Sequence, residues 1–212
     1  MKWVCMRDLR VHRYGAVVLG LLLLGGCAHM GTPMAPQNWR AGTETVADFN
    51  SEGRLAVKIK DNIEDKGSYA NFDWRHQGSV QTINVNTPLG NTVGQLCQDA
   101  QGVLAVSARG EVFQASSAEE LSQNLLGFSL PLQHLHRWAA GQWATDVPHR
   151  LLPDGRLQQG AWLISRQVAA DGTSPRVLIL DHQKLNIRLV FDQFAPETEA
   201  APTQCEARTG AV

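Results

Sequence analysis

Three successive stretches alternate apolar and polar residues with a period of two, and that period admits an extended strand with one apolar face but no helix. In the first, Leu55, Val57 and Ile59 alternate with Ala56, Lys58 and Lys60. In the second, Ala70, Phe72 and Trp74 oppose Tyr69, Asn71 and Asp73, and in the third Ile83 and Val85 oppose Thr82, Asn84 and Asn86. Residues 91–98, 102–108 and 111–115 continue as short strands, with turns at Asp99-Ala-Gln-Gly102 and Arg109-Gly110. Short turns between alternating runs describe an antiparallel meander that must bury one face.

The period then changes. Ser116-Ser117-Ala118-Glu119-Glu120 has the pattern of a capping box, and Leu121, Leu125 and Leu126 follow at helical spacing up to Gly127. A second helix is expected from Pro131, with Leu132, Leu135 and Trp138 on one face and Gly141 at its end. Strand patterns return at 160–165, 176–180 and 185–191. Residues 38–50 read as a short helix capped by Asn38, with Trp39, Val46 and Phe49 on one side. Residues 195–212, rich in Ala, Pro, Thr and Glu and without periodicity, read as a disordered tail. The expected fold is mainly β with short helices (α+β): about nine strands in one twisted antiparallel sheet, with the helices on its concave face.

The first 26 residues read as an export signal. Lys2, Arg7, Arg10 and Arg13 precede the apolar run Gly15–Leu24, which is too short to span a bilayer. Leu24-Gly25-Gly26-Cys27 resembles the bacterial lipobox, so Cys27 is the expected site of lipid attachment, with 27–37 a lipidated tether. Ala28, in place of aspartate, favours the outer membrane under the usual sorting rule.

Composition narrows the function. The formal net charge of −1, which becomes more negative once the basic signal is removed, gives no basic face for nucleic acid. After the signal and the lipidated cysteine, Cys97 and Cys205 remain. They could pair in an oxidising periplasm, but Cys205 falls in a polar tail, and the sequence leaves the pairing open. Motifs for hydrolases, zinc proteases, redox dithiols and nucleotide loops are missing, and no cofactor or enzymatic activity is expected. His134 and His136, two apart on a helix, point about 200° from each other, which fits a solvated face and not a shared metal. Asp61, Glu64 and Asp65 fit a solvated hairpin loop. Thr87-Pro88-Leu89-Gly90 makes a tight turn with Leu89 at its tip. That leucine either folds back onto the core or serves as a membrane-dipping tooth.

Several segments together resemble the LolB family of outer-membrane lipoprotein receptors. They are Trp39-Arg40, Gly53-Arg-Leu-Ala-Val57, Asn86-Thr-Pro-Leu-Gly90, Leu130-Pro-Leu-Gln-His-Leu-His-Arg-Trp138 with Gly141, Trp162, and Ile187-Arg-Leu-Val190 with Asp192. Ser165 and Arg166 depart from the aromatic residues common after Trp162 in the family, and Phe194 stands where tryptophan is common. The resemblance implies an incomplete antiparallel β-barrel of about eleven strands with an α-helical lid over a hydrophobic cavity, formed by residues 38–194. It also implies a monomer, held on the periplasmic face of the outer membrane, that takes acylated lipoproteins from a soluble carrier (LolA) and inserts them into outer-membrane lipid. On that reading Leu55, Val57, Phe72, Trp74, Ile83 and Val85 line the acyl-chain cavity, Leu125, Leu135 and Trp138 meet it from the lid, and Leu89 enters the membrane. The competing readings are a lipocalin-like binder of a small apolar ligand, a structural outer-membrane lipoprotein and an unrecognised periplasmic hydrolase.

Overall fold

Two meanders, one from each half of the chain, meet strand to strand in the middle of a single sheet. The structure is a computed structural model that describes residues 39–60, 66–126 and 129–209. Cys27, the signal and tether, Gly127 and the acidic residues Asp61, Glu64 and Asp65 lie outside the described residues. Strand β1 (Arg40–Ala41) is followed by β2 (Phe49–Ile59), β3 (Lys66–Gln77), β4 (Val80–Asn86), β5 (Thr92–Asp99), β6 (Gly102–Ser107) and β7 (Val112–Ala115). Helix α1 (Ala118–Leu126), a 3₁₀ turn (Leu132–His134) and α2 (Leu135–Ala139) come next. The chain then makes β8 (Gln142–Trp143), β9 (His149–Leu151), β10 (Leu157–Gln159), β11 (Trp162–Val168), β12 (Pro175–Asp181) and β13 (Leu185–Pro196). The main sheet has eleven strands in the order β7-β6-β5-β4-β3-β2-β13-β12-β11-β10-β9.

All its neighbouring strands are antiparallel, and the outermost two, β7 and β9, do not pair with each other, so the sheet stays open. The native twist coils a sheet of this width. The segment joining its two edges carries both helices. They contact the apolar side, α1 over β6 and β7 and α2 over β11 and β12. The lid is therefore the connection between the edges. The longest strands, β2, β3 and β13, form the centre. At Gly53 the β3 neighbour Phe72 lies so near that a Cβ would stand 2.9 Å from its ring and 2.1 Å from the Val190 carbonyl. Only glycine fits there, opposite the bulge in β13.

Most of the expected elements are present, and three expectations are corrected. Residues 39–50 do not form the helix expected over 38–50: β1, a turn and an extended segment lead into β2. Gly42 and the β-branched Thr43, Thr45 and Val46 disfavour a helix, although Val46 and Phe49 do reach the core. Residues 195–209 are not disordered either. β13 runs on to Pro196, the Glu197 amide donates to the Asp48 carbonyl at 3.1 Å, and a 3₁₀ turn occupies Glu206–Thr209. A disulfide joins Cys205 to Cys97 on β5, and Arg208 pairs with Asp99 at 2.7 Å. This strap packs Cys205 and Ala207 against Val80, Cys97 and Leu104 on the convex face. The tail lacks periodicity because it is held by a covalent bond and by ion pairs of Arg208 with Asp99 and of Glu197 and Glu199 with Arg75, not by an apolar stripe. The third correction concerns β9 and β10, three residues each, which are too short to show an alternation.

A lidded concave face as the candidate functional site

Strand register brings the expected apolar residues to one face. Trp74 sits opposite Ile83 and Ser51, and Phe72 opposite Val85 and Gly53. Leu55 lies opposite Leu189, and Val57 opposite Ile187. Leu135 and Trp138 descend from α2 into the same cluster. The rings interlock: Phe49 meets Trp74 edge-on at 4.9 Å, and Phe72 meets Phe191 edge-on at 5.5 Å. Phe72, Trp74, Ile83, Leu135 and Trp138 are buried, and Leu55, Val57 and Val85 pack half-buried against them. The Leu125 side chain lies outside the described residues.

The space under α2 is occupied by these side chains, which corrects the expectation of an empty chamber there. Trp74 and Trp138 are each only 1% exposed. Apolar rings that face one another bury their own surface, at about 25 cal/mol per Å². The filling is uneven along the face. On β2, Phe49, Ser51 and Gly53 are buried, Leu55 and Val57 half-buried and Ile59 exposed. On β3 and β4 the same sequence runs from Trp74 to Ser68 and from Ile83 to Val85. The concave face is thus closed at one end and loosens towards the rim that carries the β2–β3 and β4–β5 hairpin tips.

Polar contacts hang the lid at its closed end. Arg166, buried on β11, donates through Nε to the Ala139 carbonyl at the end of α2 (2.7 Å) and through Nη2 to the Thr173 carbonyl. Burial pulls its pKa below the usual guanidinium value. Arg137 Nη1 donates to the Gly42 carbonyl at 2.9 Å, so the N-terminal segment also straps α2. Trp138 Nε1 donates to Gln159 Oε1 at 2.8 Å. Beside this anchor a cleft of about 490 Å³ opens between Trp39, Val46, Phe49, Phe194 and Arg166.

The lid histidines are not on a solvated face. His134 is buried, and His136 stacks on His76 of β3 with centroids 4.6 Å apart. Nδ1 of both His76 and His136 is buried without a hydrogen-bond partner among the described residues. Burial lowers the pKa of all three, His136 to about 3 with help from the nearby His76, Arg137 and His134. Arg166, Gln159 and His76 were missed as lid-holding residues. Their signal was a polar residue in the apolar phase of a strand, as in Trp162, Ile164, Arg166. Leu89 does not fold back. It is 90% exposed at the tip of a turn closed by the Gly90 amide donating to the Thr87 carbonyl at 2.8 Å.

Fold and site together define a protein class: an open antiparallel sheet with an apolar concave face, covered by a short helical lid that links its edges. The family model described as "Outer membrane lipoprotein LolB" matches residues 47–194, and the chain belongs to that family. It is 50% identical to the outer-membrane lipoprotein LolB of Neisseria meningitidis serogroup A, covering 89% of this chain and 94% of that protein. It is 35% identical to the outer-membrane lipoprotein LolB of Chromobacterium violaceum, covering 82% and 93%. Among solved structures, a LolA superfamily protein from Nitrosomonas europaea overlays on 77% of this chain and 91% of its own, with a TM-score of 0.42 and 6% identity.

Proposed function

We propose that this protein is a monomeric receptor that accepts acylated lipoproteins from a soluble periplasmic carrier of the LolA kind and releases them into the outer membrane. A lipid on Cys27 holds it at the periplasmic face of that membrane. The observation that carries the reading is the apolar concave face under a lid that packs on it through Leu135 and Trp138 and is tied down by exchangeable hydrogen bonds. Acyl chains cannot cross water unaccompanied, because each buried CH₂ is worth about 0.8 kcal/mol. When α2 lifts, the rings of Phe72, Trp74 and Trp138 exchange contact with one another for contact with acyl chains. The half-buried Leu55, Val57 and Val85 provide the entrance. Leu89, at the looser rim, enters the hydrocarbon and opens the path for release, a step worth about 1.5–3 kcal/mol for one leucine.

The test mixes the lipidated protein with a carrier loaded with an acylated lipoprotein, then adds liposomes. Cargo is expected to move to the receptor and onward into the liposomes. Leu89→Glu is expected to accept cargo normally and to retain it. Cargo that stays on its carrier contradicts the receptor reading, and normal release by Leu89→Glu contradicts the role of the leucine.

A further inference from the structure

Resting on that reading, we infer that the β6–β7 hairpin tip and the edge strand β7 form a second membrane contact beside Leu89, one that binds anionic phospholipid through Arg109. Strand alternation puts the tips of β2–β3, β4–β5 and β6–β7 on one rim, and neighbouring tips are two strand spacings, about 10 Å, apart. Among the described residues, the exposed large apolar side chains of Ile59, Tyr69, Leu89, Val93, Val112 and Phe113 all lie at this end of the sheet, and Leu151 alone lies elsewhere. Asp154, Asp171 and Glu199 lie at the opposite rim, where Asp154 serves as the control position.

The β6–β7 tip is bound to the leucine-bearing hairpin, because the Ala108 amide donates to the Val93 carbonyl at 3.2 Å. It is a tight turn of its own: the Gly110 amide donates to the Ser107 carbonyl at 2.9 Å, and Gly110 takes a φ of +77°. Glu111 accepts a hydrogen bond from Ser107 Oγ at 3.3 Å, while Arg109 makes no ion pair among the described residues. The guanidinium is thus presented at the tip, flanked by Val93 at 50%, Val112 at 53% and Phe113 at 39% exposure. Apolar side chains beside a guanidinium at a rim match a bilayer surface, with hydrocarbon for the former and lipid phosphate for the latter. Reach is sufficient. Fully extended, the twelve Cα–Cα steps from Cys27 to Trp39 would span at most about 40 Å, comparable with the length of the twelve-residue β3, so the rim can reach the membrane that holds the anchor.

The experiment uses the full lipidated chain in vesicles containing phosphatidylglycerol, with Val112→Cys carrying an environment-sensitive dye. Leu89→Cys and Asp154→Cys carry the same dye in parallel samples. Quenching by doxyl-labelled lipid is expected at 112 and 89 and not at 154. Arg109→Glu, or vesicles of phosphatidylcholine alone, should cut the quenching at 112 at least threefold. A dye at 112 that stays in water while the dye at 89 is quenched overturns this inference and leaves the single-leucine reading standing. Both dyes in water overturn both. Protection at 112 that requires the carrier assigns the edge strand to a protein partner and overturns the lipid assignment.

Discussion

The two faces of the sheet are covered by attachments of opposite kind. On the concave face, the lid packs by apolar contact and hangs on hydrogen bonds to carbonyls, such as Arg166 to Ala139 and Arg137 to Gly42. On the convex face, the C-terminal strap is fixed by the Cys97–Cys205 disulfide and by the Arg208–Asp99 pair. Burial works to raise the Asp99 pKa, but hydrogen bonds from Arg208 and from the Cys205 and Gln101 amides outweigh it and hold the carboxyl below its usual range. A covalent clasp cannot open and close on a binding cycle, whereas carbonyl hydrogen bonds are each worth about 1 kcal/mol net and can be exchanged. In the proposed function, the sheet is held fixed from behind while the lid at the front opens.

The largest effect should come from cutting the strap. The disulfide closes a loop with a sequence separation of 108. Replacing both Cys97 and Cys205 by serine should cost roughly 2–5 kcal/mol of stability, read from denaturant unfolding, while cargo transfer below the midpoint stays intact. A loss of transfer in the still-folded variant would break the division between a fixed back and a mobile front.

A smaller effect should come from pH, and it should fall on the lid alone. His76 and His136 are held neutral, chiefly by burial. The groups facing them are His134 and Arg137 on the lid side and Asp48 before β2, while Glu119 of α1 and Asp146 face His134. In the open form each imidazole regains its ordinary pKa near 6.5. As pH falls from 6.5 towards 3, the open form binds protons that the closed form does not, so closure weakens. Above 6.5 neither form gains. Hydrogen exchange of the α2 amides, corrected for intrinsic rate, should accelerate from pH 7.5 to 5.5, and His136→Phe should flatten that dependence. Equal acceleration in the amides of β5, beside the strap, would mean global loosening and not lid release.

The sheet was legible in the sequence where strands were long enough to alternate, as at Leu55-Ala-Val57 or Phe72-Asp-Trp74. Helix α1 was legible through its cap: the Glu120 amide donates to Ser117 Oγ at 3.1 Å, and Glu120 in turn accepts from the Ser116 amide. The strap was not, because a single cross-link leaves no periodic trace. Nor was the inward turn of His134 and His136. Helical spacing separates their rings, but the 3₁₀ turn before α2 resets the phase, so both point inward. Of the site, the apolar set was readable and the polar suspension of the lid was not, since Arg166 and Gln159 look like interruptions of strands until their carbonyl and indole partners are seen.

The central claim is that acyl chains of the cargo occupy the concave face. A photo-crosslinking side chain placed at Val57, on that face, and at Glu52, on the convex side of the same strand, tests it directly in receptor loaded from the carrier. Val57 should give an adduct with the acyl moiety of the lipoprotein, and Glu52 none. Receptor that holds cargo yet forms no adduct at Val57, or forms it at Glu52 instead, would contradict the account.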